Sequence, residues 1–200
     1  MSTIPNLNTS PGNTPLDTEE LEQLIPSLAT KGELDEWERK NILEANEWAL
    51  KERTLKREDP LTEAYLRELH KRMFDQTWKW AGQYRNTEKN FGCLVPEIRD
   101  RIGTLLDDAR YWFEHNTFSV DERAIRIHHR LVGSIHPFPN GNGRHARLLA
   151  DVVAVKFGQP EFSWGSNDIV AEGTTRAGYL EALKAADNGD IQKLLKFARS

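Results

Sequence analysis

The sequence predicts an all-α domain with one short β-hairpin, and three observations lead there. Apolar residues recur at helical spacing in every long segment, and prolines and glycines punctuate the chain between those segments. One internal stretch, 82–96, breaks the period. Residues 1–16 are rich in Ser, Thr, Asn, Pro and Gly with little to bury, so they are expected to form a flexible N-terminal arm. Residues 17–58 read as an N-terminal helical extension and 59–200 as the main domain with its C-terminal helices.

In chain order, Asp17 or Thr18 caps a short helix running through Leu24, and Pro26 limits its extension. Leu34 to Leu50 sets Trp37, Ile42, Ala45, Trp48 and Ala49 along one side of a longer helix. Leu66, Leu69, Met73 and Phe74 form the buried stripe of a helix from about Leu61 to Trp78, with Thr62 as its cap. Gly82 to Pro96 suits an exposed hairpin or loop. Pro96 opens the next helix, in which Ile98, Ile102, Leu105, Leu106, Ala109, Trp112 and Phe113 recur at helical spacing. Ser119 or Asp121 starts another, reaching about Ile135. Beyond a break at 158–167, helices near 169–188 and 190–199 close the chain.

Composition limits the function classes. Two hundred residues with 38% hydrophobic content support one domain with a core. A net charge of -4 gives no general attraction for nucleic acid. The single cysteine, Cys93, excludes an internal disulfide, and His128, His129 and His145 lack the spacing of a zinc site. No apolar run reaches the roughly 20 residues that span a bilayer, and the N-terminus lacks signal-peptide features, so no membrane association and a cytoplasmic location are expected.

The most informative stretch is His136-Pro137-Phe138-Pro139-Asn140-Gly141-Asn142-Gly143-Arg144-His145-Ala146-Arg147. Its prolines disfavour helix at the residues before them, and its glycines permit backbone geometries closed to other residues. A loop therefore sits here. The apolar run from Arg147 to Phe157 makes it feed the N-terminus of a buried helix, where unpaired amides and the helix dipole favour a phosphate. His136 supplies an imidazole whose ordinary pKa near 6.5 suits a general base, though a hydrogen-bonded structural histidine is the plain alternative. Arg144 and Arg147, three residues apart on one helical face, offer forked donors to phosphate oxygens.

This segment resembles the Fic family motif HxFx[DE]GNGRxxR, departing from it only at Asn140. The likeness extends to Leu66, Leu69, His70, Met73 and Phe74, and to Trp80-Ala81-Gly82-Gln83-Tyr84-Arg85, covering roughly residues 60–160. The resemblance implies transfer of AMP from ATP to a Ser, Thr or Tyr hydroxyl of a target protein. His136 would be the base, Gly141, Asn142 and Gly143 the phosphate cradle, and Arg144 and Arg147 the counter-charge. A hairpin flap bearing Gly82, Tyr84, Arg85, Asn90, Phe91 and Gly92 would pair with the target, unless Arg85 anchors the flap instead. The family carries Asp or Glu at the position of Asn140 to help hold Mg²⁺; here a neutral amide stands in its place. The inhibitory [ST]xxxE[GN] motif of many members is not intact. Glu38 and Glu44 are the nearest N-terminal candidates, with Glu44 in Lys40-Asn41-Ile42-Leu43-Glu44-Ala45 taken as the inhibitory one; Asp168-Ile169-Val170-Ala171-Glu172-Gly173 is a second partial match.

The whole-chain pattern, including Leu34-Asp35-Glu36-Trp37-Glu38 and Asn41-Ile42, further resembles the bacterial, mobile-element-associated branch called mobile mystery protein B. That likeness implies a helix-turn-helix or antitoxin-like companion, with no direct nucleic-acid binding by this chain. Two other readings stay open from the sequence: a Fic-fold phosphotransferase or other nucleotidyltransferase, and a catalytically weakened nucleotide-binding module.

Overall fold

In the computed structural model, residues 16–28, 30–165 and 174–200 are described. The expected arm, apart from Leu16, lies outside them, as does the segment from Asp168 to Gly173. Four helices begin where a side chain takes up a first-turn amide. Asp17 accepts from the Glu20 N–H at 2.9 Å to start α1 (Thr18–Leu21), and Thr30 accepts from Glu33 at 3.2 Å to start α2 (Lys31–Ala49). A short α3 (Glu52–Arg57), absent from the sequence reading, leads to α4 (Glu63–Phe74), capped by Thr62 as expected. A 3₁₀ turn (Val95–Glu97) opens α5 (Ile98–Glu114), and Ser119 caps α6 (Val120–His129). A π-helical turn (Arg130–Ile135) ends in the motif loop, followed by α7 (Asn142–Lys156), α8 (Thr174–Asp187) and α9 (Ile191–Ala198).

Helix α7 is the centre of the core. Ala146, Leu149, Ala150, Val153 and Ala154 are fully buried, and α6, α4 and α3 pack around it. A helix apolar on nearly all sides must be enclosed. The stripe expected on α4 forms as read: Leu66, Leu69, Met73 and Phe74 are buried. Among the described residues, no helix is long and apolar enough to cross a membrane.

Two expectations are corrected. The expected stripe of α2 is met at Ala45 and Ala49, with Ile42 and Trp48 partly buried, but Trp37 is 42% exposed and Leu34, Glu38 and Asn41 face inward in its place. Two polar side chains face inward because each has a buried partner: the Trp78 indole N–H donates to Glu38 Oε1 at 2.7 Å, and the Thr77 hydroxyl donates to Asn41 Oδ1 at 3.0 Å. The short β-hairpin over 82–96 is not formed. Among the described residues the β-type pairing is an isolated bridge between Leu24 and Trp78. Arg85 lies near the start of the segment and donates to the carbonyls of Thr87 and Cys93, and Glu88 Oε1 accepts from the Val95 N–H at 3.0 Å. These side-chain bonds occupy backbone groups that a hairpin ladder would have paired.

Candidate functional site

The loop between α6 and α7 is shaped by contacts within the chain. The π turn directs the His136 N–H to the Leu131 carbonyl at 2.9 Å, a span of five residues, and His136 itself takes the left-handed conformation (φ 53°, ψ 62°). Phe138 is buried and stacks on His70 with ring centroids 3.7 Å apart. Gly141, at φ 76°, caps α7, and a Cβ there would lie 2.5 Å from the Phe74 ring, so only glycine fits. Asn142 is buried and clips the loop shut: its Oδ1 accepts from the Phe138 N–H at 2.9 Å and its Nδ2 donates to the Phe138 carbonyl at 2.8 Å. Its side chain thus holds the loop, and its place in a phosphate cradle is left to its main chain. Asn142, Gly143 and Arg144 carry the first amides of α7, the groups a helix leaves for an anion.

His136 is 7% exposed. Its Nδ1 lies 2.9 Å from the Val132 carbonyl, which can only accept, so the proton sits on Nδ1 and Nε2 is the basic nitrogen. Burial pushes its pKa below 6.5; the Val132 bond opposes this, and the charges of Arg85 and Lys89 add to the lowering. The ring is neutral at pH 7.

Arg85 holds His136 from behind. It is 2% exposed, and its Nε donates to the His136 carbonyl at 2.7 Å while its backbone N–H donates to the Pro137 carbonyl at 2.9 Å. The same guanidinium reaches the Thr87 and Cys93 carbonyls, so one side chain ties the 85–93 segment to the motif loop. Phe91 is half exposed with its ring 6.3 Å from that of His136. Gly92, at φ 93°, passes so close that a Cβ would meet His136 Cβ at 2.5 Å. Asn90 is exposed on the same segment. Gly82 is buried, and Tyr84 packs on Phe138 at 5.6 Å.

The two arginines turn to different neighbours. Arg144 is ion-paired with Glu38 of α2, lies 4.9 Å over the Phe74 ring, and donates to Asn140 Oδ1 at 3.3 Å. Arg147 lies 5.5 Å over the Tyr179 ring of α8. Of the two glutamates considered from sequence, Glu38 touches the motif, whereas Glu44 accepts from Gln76 Nε2 at 3.0 Å on an exposed part of α2.

Asn140 presents poor metal-binding chemistry. Its Oδ1 accepts from the Gly141 N–H at 2.6 Å and from Arg144, so the oxygen faces N–H donors and a cation. No group of three or more His, Cys, Asp or Glu side chains suited to a metal occurs among the described residues. The side chains present do not by themselves fit Mg²⁺.

His70 is the site residue whose role the sequence did not reveal. Fully buried, it donates from Nε2 to the Asn140 carbonyl at 3.1 Å and accepts at Nδ1 from the Gly82 N–H at 3.0 Å. It thereby joins the start of the 82–96 segment to the motif loop. Burial holds its pKa well below the ordinary value, which keeps the acceptor nitrogen unprotonated. A lone histidine on an apolar helix face gives no local signal of such a bridge.

The Fic/DOC family model matches residues 60–154. The chain is 32% identical over 120 residues to protein adenylyltransferase fic-1 of Caenorhabditis elegans, an overlap of 58% of this chain and 22% of that protein. It is 28% identical over 170 residues to protein adenylyltransferase Fic of Nematostella vectensis, covering 79% of this chain and 38% of the relative. It therefore spans well under half the length of the curated relatives it matches. The BepC protein of Bartonella tribocorum, solved with AMPPNP bound, shares the fold with a TM-score of 0.65 at 17% identity, over 92% of this chain and 97% of that one. With the loop from His136 to Arg147 as its structural centre, this chain is similar to the Fic/DOC family over residues 60–154.

Proposed function

We propose that the chain transfers AMP from ATP to a Ser, Thr or Tyr hydroxyl of a target protein. The observation that carries this reading is the His136 ring, fixed through Nδ1 in the loop that leads into the N-terminus of α7. The target oxygen bonds to the α-phosphorus, the bond to the oxygen bridging the α- and β-phosphates breaks, and pyrophosphate leaves. The hydroxyl proton passes to His136 Nε2. The amides of Asn142, Gly143 and Arg144 and the charges of Arg144 and Arg147 stabilise the phosphoryl oxygens. The target lies against the segment bearing Gly82, Tyr84, Arg85, Asn90, Phe91 and Gly92. Incubation of the chain with α-labelled or γ-labelled ATP and lysate tests the proposal. Label from α-ATP alone, dependent on His136, is expected. Label from γ-ATP would make the chain a phosphotransferase, and nucleotide binding with neither transfer would make it a binding module.

Mg²⁺ would arrive with the nucleotide, whose phosphates would supply most of its ligands, and Asn140 would offer it a neutral amide oxygen. Asn140→Asp places a carboxylate there and is expected to raise Mg²⁺-dependent transfer. Rates measured across a Mg²⁺ titration check this; identical curves for both proteins would separate residue 140 from the metal.

Glu38 holds Arg144 away from a phosphate. Glu38→Gln keeps an acceptor for Trp78 but removes the charge, and it is expected to raise autoadenylylation several-fold, more than Glu44→Gly does. Equal rates for wild type and Glu38→Gln would show that the ion pair does not restrain the site.

A further inference from the structure

A second polar recess lies beside the 82–96 segment, and the family motif does not use it. It encloses about 610 Å³ and is lined by Arg67 of α4, by Gln83, Tyr84 and Arg85, and by Val95, Pro96, Ile98 and Arg99 at the start of α5. Three arginines and no carboxylate line it. Arg67 is fixed by its Nε–H, which donates to the Gly82 carbonyl at 2.9 Å. The guanidinium groups of Arg67 and Arg99 lie 5.5 and 5.6 Å from the Tyr84 ring. Arg85 is engaged with backbone carbonyls and, at 3.4 Å, with Glu88, and Arg99 shares Glu63 at 3.3 Å on an exposed surface; both carboxylates lie outside the lining, and the recess keeps an excess of positive charge.

The recess stands close to the motif loop without opening onto its arginines. The Tyr84 ring packs on Phe138, so one aromatic layer separates the two. Phe91, its ring 6.3 Å from that of His136, and Leu94, next in the chain to Val95 of the recess, are 52% and 59% exposed. A polypeptide laid over 91–96 meets an apolar stretch first and a positive recess next. An extended chain advances about 3.3 Å per residue, so a side chain a few positions from the reacting hydroxyl reaches it.

From this arrangement we infer that the recess takes up an Asp or Glu side chain of the target polypeptide, and so selects hydroxyls with an acidic residue nearby. The placement of the hydroxyl rests on the AMP-transfer reading, whereas the recess itself is tested without nucleotide. Fluorescence anisotropy of a fluorescein-labelled hexaglutamate peptide with the full chain is the measurement. Arg99→Glu is expected to weaken binding about tenfold, with Arg99→Ala in between and Lys193→Glu, an exposed charge reversal on α9, unchanged. Neither inorganic phosphate nor ATP at the peptide's concentration is expected to displace it. The inference is overturned by an absence of binding, by equal losses in Arg99→Glu and Lys193→Glu, by displacement with phosphate, which would mark a free-anion site, or by displacement with ATP, which would place the peptide on the motif loop. An enzyme inactive in AMP transfer would still bind the peptide, so the two readings fail separately.

Discussion

His136→Ala is expected to lower AMP transfer by about 10²–10⁴-fold, the range that a positioned general base contributes. The fold should tolerate the change better in His136→Asn, because asparagine accepts the left-handed backbone that residue 136 adopts (φ 53°). Both variants should lose transfer; if His136→Asn transfers AMP at the wild-type rate, the imidazole is not the base. The pH dependence has a definite sign. The base acts in its neutral form, and burial lowers its pKa from 6.5, so the rate persists somewhat below pH 6.5 and falls as pH drops through the lowered value. A rate that rises with acidification would contradict this assignment.

Arg85→Ala is expected to destabilise the protein by about 3 kcal/mol or more, because it removes the charged donors to the carbonyls of buried His136 and Cys93 and of partly buried Thr87 together. Urea unfolding measures that loss. Transfer should fall further than the loss of folded protein accounts for, since the same bonds set the position of His136 and of the segment facing it. Arg85→Lys keeps the charge with a different donor geometry and should recover part of the stability but little of the positioning. A variant with wild-type unfolding and wild-type rate would show that the segment holds its place without Arg85.

Much of the helical frame was legible because its signals are local. Thr62 and Ser119 cap the helices they precede, and the stripe Leu66, Leu69, Met73 and Phe74 is the buried face of α4. Other features depend on partners far along the chain. The inward face of α2 includes Glu38 and Asn41 because Trp78 and Thr77 await them. No hydrophobic count on α2 reveals that. The hairpin reading failed for a related reason: glycine and polar residues at 82–96 allow a turn, but Arg85, reaching across the segment, decides that the carbonyls bond to a side chain instead.

The sequence alone determined the motif loop, its prolines and glycines, the run into α7 and the place of His136 at the head of the loop, because twelve adjacent residues carry both the backbone constraints and the titratable and cationic side chains. Tertiary structure decided the state of those groups. The Val132 carbonyl sets the tautomer of His136, His70 bridges Asn140 and Gly82, and Glu38, 106 residues away in the chain, pairs with Arg144. Charge, burial and tautomer are properties of neighbours in space: the π turn supplies Val132, and the packing of α2, α4 and α7 brings the more distant ones together.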